Sequence, residues 1–217
     1  YTDNLNKSSV SKLFGEKVTE TQKPIGNVDS KSNYAYLLEP HEYYAQAAVY
    51  HLIKEGLRIK TATRKFSIKG KEFDYGTYLI PVQNQIMNSE DIYNKLLEVS
   101  NKYNINFESQ STGITSGIDL GSDYFIIVNE PKIGLIVGDG VRSYDAGEIW
   151  HLLDTRYNIP ITKLDIDDLD YIDLSKYSHI ILPDYSGSKL RAEQLKNYIN
   201  GGGNLIAYRN SVKWVSN

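Results

Sequence analysis

Pro131-Lys132-Ile133-Gly134-Leu135-Ile136-Val137-Gly138-Asp139-Gly140 sets the architecture expected of this chain. A short apolar run of this length, bounded by Pro and a Gly pair, fits a fully buried strand. After a polar loop, Gly147-Glu148-Ile149-Trp150-His151 enters a helix expected to run to about Tyr157. Strand, glycine loop and helix in this order form the first unit of an open α/β sheet, in which ligands sit outside the carboxyl ends of the strands. Asp139, Arg142, Tyr144 and Glu148 therefore stand where a site would lie.

Working forward, Ile161-Thr162-Lys163-Leu164 is expected to be the next strand, and His179-Ile180-Ile181-Leu182-Pro183 the one after it. A helix over 190–199 uses Leu190, Leu195, Tyr198 and Ile199, and is broken by Gly201-Gly202-Gly203. Asn204-Leu205-Ile206-Ala207-Tyr208 is a fourth strand, followed by a turn at Arg209-Asn210-Ser211 and an apolar segment through Trp214. Between the second and third strands, Asp165, Asp167, Asp168, Asp170 and Asp173 form an acidic run. Closely spaced aspartates suggest calcium, but the mid-loop glycine and closing glutamate of an EF-hand are missing. A solvated loop that caps short helices is the better reading.

Working backward, residues 34–109 read as a small α/β unit near the low end of stable domain sizes. It starts with a strand at Tyr34-Ala35-Tyr36-Leu37-Leu38 and a helix over 41–55 with Tyr44, Ala47, Ala48, His51 and Leu52 on one stripe. A strand over 57–63, a hairpin turning at Lys69-Gly70-Lys71 and a strand at Gly76-Thr77-Tyr78-Leu79-Ile80-Pro81-Val82 follow. Ser89-Glu90-Asp91 is expected to cap a helix to Tyr103, buried through Ile92, Leu96, Val99 and Tyr103, and a last strand covers 105–109.

Residues 1–33 are polar, with one helix-like patch from Val10 to Val18, and read as an arm or linker. Residues 110–130 are rich in Gly, Ser and Thr and read as an interdomain linker. Gly113, Gly117 and Gly121 lie four apart, but no helix opening with Lys-Ser/Thr follows them, so a phosphate loop fails on context. The expected architecture is thus α/β, with two small units: 34–109, and 131–217 as a flavodoxin-like unit with a mainly parallel sheet.

Composition narrows the function classes. The 217 residues are 41% hydrophobic and 24% charged, with a net charge of -3 and no dense basic stripe, which argues against a nucleic-acid surface. No apolar run approaches the roughly 20 residues of a membrane helix. Tyr1 opens no signal-like segment, so the chain reads as a processed or excised piece. The absence of cysteine removes disulfides and thiolate chemistry. Eighteen tyrosines are read as the compositional habit of the source rather than as an aromatic binding surface.

Taken together, Lys132-Ile133-Gly134-Leu135-Ile136, Gly147-Glu148-Ile149-Trp150-His151, residues 174–183 and Gly202-Gly203-Asn204-Leu205-Ile206-Ala207 resemble the class I glutamine amidotransferase-like domain. With Tyr34-Ala35-Tyr36-Leu37 and Gly76-Thr77-Tyr78-Leu79-Ile80-Pro81 ahead of them, they are similar to the region that follows the catalytic domain in a bacterial branch of the zinc carboxypeptidase (carboxypeptidase A-like) family. The resemblance runs from about Asn33 to the end, with truncation of the last domain left open.

That resemblance implies a secreted or periplasmic parent that is a metallocarboxypeptidase-like hydrolase, with zinc and chemistry in a domain upstream of Tyr1. Zinc in the family needs a His-x-x-Glu pair and a second His. None of His41, His51, His151 and His179 is followed three residues later by Glu, and His151 with Asp154 is the nearest imitation. The amidotransferase nucleophile is missing with the cysteines, and Ser211 lacks the Gly-x-Ser-x-Gly elbow, so it reads as a turn serine capping the last helix. The expected catalytic and metal residues of this chain are therefore none.

Two functions remain open. One is a noncatalytic accessory region that supports or steers the upstream peptidase domain and contacts peptide or cell-envelope material. The other is a small anionic-ligand pocket lined by Asp139, Arg142, Glu148, Asp184, Arg209 and Asn210, whose two arginines could pair a carboxylate or phosphate. Arginines tied to Asp139, Asp184 or Glu148 would favour the first; a bidentate arginine facing open solvent would favour the second.

Overall fold

Ala35–Leu38 is apolar at every position and buried at every position, as a strand covered on both faces must be. This strand, β2, lies inside a six-stranded sheet ordered β1-β7-β2-β6-β3-β8. Its members are β1 (Asn27–Val28), β2, β3 (Lys60–Ala62), β6 (Tyr78–Pro81), β7 (Asn106–Gln110) and β8 (Phe125–Ile127). All neighbours pair antiparallel except β1 with β7. The computed structural model describes residues 15–17, 19–21 and 24–216. The expected helix-like patch at 10–18 lies mostly outside those residues.

Alternate residues of the strands send their side chains to opposite faces. Tyr36, Leu38 and Ile80 meet two helices, α1 (Ala45–Lys54) and α2 (Ser89–Tyr103), through Ala48, Leu52, Ile92, Leu96 and Val99. Ala35, Leu37 and Leu79 meet the hairpin of β4 (Phe66–Ile68) and β5 (Lys71–Phe73), together with Ile118, Leu120 and Phe125. Lys69 and Gly70 turn the hairpin at φ 52° and 81°.

Several boundaries move from their expected places. Helix α1 starts at Ala45 rather than 41, because the Glu42 carboxylate accepts the Asn106 backbone N–H at 3.1 Å, tying residue 42 to β7 before the helix begins. Asn88, not Ser89, caps α2, its side chain accepting the Asp91 N–H at 2.9 Å. Residues 110–130 are more than a linker, since Phe125–Ile127 pairs with β3 and Ile118 and Leu120 are buried. Asn27–Val28 likewise joins part of the expected arm to the sheet edge.

The second unit holds β9 (Ile133–Val137), β10 (Ile161–Asp165), β11 (His179–Leu182) and β12 (Asn204–Ala207), all parallel in the order β10-β9-β11-β12. This is the start of the 2-1-3-4-5 order of a flavodoxin-like doubly wound sheet. Helix α3 (Ser143–Trp150) follows β9 and covers Leu135 and Ile181 with Ala146. It begins earlier than the sequence suggests, because Arg142 is extended and its carbonyl accepts the Ala146 N–H at 3.1 Å. Helix α4 (Ala192–Asn200) lies on the other face, where Leu195 and Tyr198 meet Ile136, Leu164, Ile180 and Leu182. Ile199, expected in the core, is 42% exposed, leaving Leu190, Leu195 and Tyr198 as that segment's buried residues. Helix α5 (Asn210–Ser216) ends the described chain.

The two units meet around the π-helical turn His151–Arg156 that prolongs α3. Arg156 donates to the Tyr43 hydroxyl and Tyr157 to the Tyr43 carbonyl, both at 2.9 Å. The rings of Tyr43 and Tyr44 stand edge-on to Tyr157, with centroids 6.0 and 6.1 Å away. Part of the high tyrosine content is thus spent at this junction.

Candidate functional site

The connections from β9 and β11 leave on opposite faces of the parallel sheet, so the order reverses between these two strands. In such sheets a ligand crevice opens at that point, beyond the carboxyl ends of the strands. The loops that would form its rims are 138–142 and 183–191.

Here the two loops are bonded to each other. Val141 and Tyr185 form a backbone bridge, the Arg142 N–H donates to the Asp184 carbonyl at 2.8 Å, and the Ser186 N–H donates to the Gly140 carbonyl at 3.0 Å. Gly140 is required at the crossing: its φ is +78°, and a Cβ there would lie 2.6 Å from the Gly187 Cα. A glycine suited to letting backbone approach a ligand is used instead to let one loop approach another. Tyr185 fills the space below, 2% exposed, with its hydroxyl accepting the Leu190 N–H at 2.9 Å and its ring edge-on to Trp214.

The six expected site residues separate into small groups. Asp184 is buried and central: one carboxylate oxygen accepts the Asn210 N–H at 3.2 Å, and the other lies 3.7 Å from Arg142 Nη1. Asp184, Arg142 and Asn210 are thereby brought together, and Asp184 rather than Ser211 caps α5. Ser211 is fully buried and its hydroxyl donates to the Pro183 carbonyl, which corrects its reading as the capping residue. Arg209, in the left-handed region at φ 52°, places Nε 3.6 Å from Asp145. Asp139 points elsewhere, exposed and 3.5 Å from Lys189. Glu148 and Tyr144 are exposed on α3. A neighbouring cavity of about 360 Å³ is lined mainly by Leu135, Val137, Val141, Ala146, Trp150 and Lys163, and includes none of the six.

Asp145 is the residue the sequence reading passed over. Its side chain is 13% exposed, and its Oδ2 is buried without a hydrogen-bond partner among the described residues. The available signal was position: an aspartate in the first turn of α3, one turn beyond Arg142, beside the crevice.

The acidic run is occupied by neighbours. Asp173 accepts from the hydroxyl and backbone N–H of Ser175, and the hydroxyl bond first of all holds its carboxyl below the ordinary value. Lys189 sits 2.7 Å from Asp167, a hydrogen bond that raises the lysine above its usual value, and Arg191 lies 3.1 Å from Asp170. Among the described residues no three His, Asp or Glu side chains converge as a metal site. His151 is exposed on the π-helical turn, and His179 Nδ1 is 2.9 Å from the Ser178 hydroxyl. No described helix is long and apolar enough to cross a membrane.

Fold and site together define an α/β protein of two units, the second a doubly wound parallel sheet whose switch-point loops are joined to each other. No family model, no curated protein and no solved structure matches the chain.

Proposed function

We propose that these 217 residues are a noncatalytic accessory region of a zinc carboxypeptidase-like protein, packing against or steering substrate toward a peptidase domain upstream of residue 1. The proposal takes its family from the sequence resemblance. One structural observation supports the noncatalytic half of it: the switch-point loops are bonded together, with Arg142 beside Asp184 and Arg209 beside Asp145. Charges spent on one another leave little to recognise a ligand or stabilise a transition state. In this reading zinc belongs to the upstream domain, the parent is secreted or periplasmic, and the outside partner is peptide or cell-envelope material.

The alternative, a small anionic-ligand module on the second unit, has one observation in its favour. The side chains of Arg142 and Arg209 are 58% and 59% exposed, so an anion could compete for them.

Metal content and cleavage of C-terminal residues from peptides, measured on the 217-residue chain beside the full-length parent, test the proposal. Zinc and hydrolysis in the parent alone are expected. Stoichiometric zinc or hydrolysis in the 217-residue chain sinks it, and phosphate binding lost on Arg142→Gln moves the reading to the alternative.

A further inference from the structure

Arg58 and Lys60, at the entry to β3, line a pocket of about 330 Å³ on the hairpin side of the six-stranded sheet, with Leu79, Pro81, Gln83 and Leu120 among its other walls. Both cations are half-buried, and among the described residues neither has a carboxylate within ion-pair distance. A guanidinium carries five N–H donors. That of Arg58 makes one long bond, Nη2 to the Gln83 carbonyl at 3.4 Å, while its Nε is covered by protein with no acceptor. This contrasts with Lys71, which reaches both Glu39 and Glu108 on the same side of the sheet.

The backbone that carries the pair is held in place. The Arg58 N–H donates to the Gln85 side-chain carbonyl at 2.8 Å, and the Gln85 amide donates back to the carbonyls of Arg58 and Pro81 at 2.8 and 2.7 Å. Asn84 completes the turn at φ 57°, a conformation asparagine tolerates better than most residues. Lys60 is fixed by ladders on both sides, opposite Leu79 of β6 and Ile127 of β8. Positions fixed before a ligand arrives lower the cost of binding it.

Two unpaired cations call for an anion, and the planar fork of arginine matches a carboxylate. Half-buried Pro81, with the small exposed edges of Leu79 and Leu120 beside it, offers contact to an aliphatic group, which an inorganic anion lacks. We infer that this pocket binds an organic carboxylate, its charged end between Arg58 and Lys60 and its apolar part on Leu79, Pro81 and Leu120. The inference rests on the first unit alone and stands apart from the accessory role.

The test titrates the 217-residue chain with N-acetyl-leucine, with its neutral analogue N-acetyl-leucinamide and with inorganic phosphate, following backbone amide shifts by NMR. Saturable binding of N-acetyl-leucine is expected, with shifts clustered at residues 58–60 and 79–85 and no saturation by the amide. Arg58→Gln and Lys60→Gln each weaken it about tenfold or more, while Lys196→Gln, in the other unit, leaves it unchanged. Equal response to acid and amide, unchanged affinity in both pocket variants, or shifts confined elsewhere in the wild-type chain overturn the site. Phosphate binding as tight as the acid overturns the organic carboxylate as its ligand.

Discussion

The two sheets of this protein are covered very differently. The six-stranded sheet is packed on both faces, by α1 and α2 on one side and by the β4–β5 hairpin with residues 118–125 on the other. The four-stranded sheet has a deep core on its α4 face, but its α3 face rests on Leu135, Ala146 and Ile181, and Ile206 of β12 is 40% exposed there. A sheet covered on both faces takes its second layer from wherever the chain can supply it, and here that layer comes from segments that look like loops in sequence. The parallel sheet is covered by the elements that its own crossovers bring, and on the α3 face these leave Ile206 of β12 open.

Phe125→Ala puts the largest strain on this comparison. Phe125 is 2% exposed, pairs through β8 with β3 and stands edge-on to Phe66 with centroids 5.4 Å apart. Truncating such a ring costs about 3–5 kcal/mol, read as a fall in urea midpoint at constant slope. A loss within about 0.5 kcal/mol, typical of a surface linker, would remove residues 118–125 from the core of the first unit.

A smaller effect probes the second unit. Asp184→Ala removes the cap of α5 and the partner of Arg142, and is expected to cost about 1–2 kcal/mol. Asp184→Asn keeps a carbonyl oxygen for the Asn210 N–H and should recover part of the loss. Thermal melts that place both variants at the wild-type midpoint would mean that Asp184 does not hold the crevice loops.

What could be read from sequence follows the same division. The strand-loop-helix at 133–150, the strands at 161–165 and 179–182 and the glycine break at 201–203 carry their signals locally, in apolar runs bounded by Gly and Pro. Asn27–Val28 and Phe125–Ile127 carry no comparable signal, because their strand identity comes from partners roughly 80 and 65 residues away. At the site, residue types at the strand ends were legible. Their pairing was not, because Asp184 meets Arg142 and Asn210 only through loops that cross at Gly140 and Gly187. Lys60 was legible as a strand residue, whereas Arg58 lies just ahead of β3 rather than inside it as expected; that neither has an acid partner among the described residues is a property of the folded surface.

The smallest expected effect distinguishes the units by pH. His51 is a residue of α1 that faces α2, with Nδ1 3.3 Å from both Lys102 Nζ and the Tyr103 hydroxyl, and Nε2 buried without a hydrogen bond. Burial first, and then the Lys102 charge, hold its pKa below the ordinary histidine value, with Glu55 and Glu98 pulling the other way. The folded state thus takes up a proton less readily than the unfolded chain. The stability tied to neutral His51 is complete above about pH 6.5, the unfolded value, and is lost as pH falls below it toward the folded value. His51→Gln keeps a polar side chain but cannot titrate. Between about pH 7.5 and 5.5, above the usual carboxylate range, its urea midpoint should fall less than that of the wild type. Parallel curves for the two proteins would show that the helix pair tolerates a charged His51, and would leave the first unit no more sensitive to acid than the second.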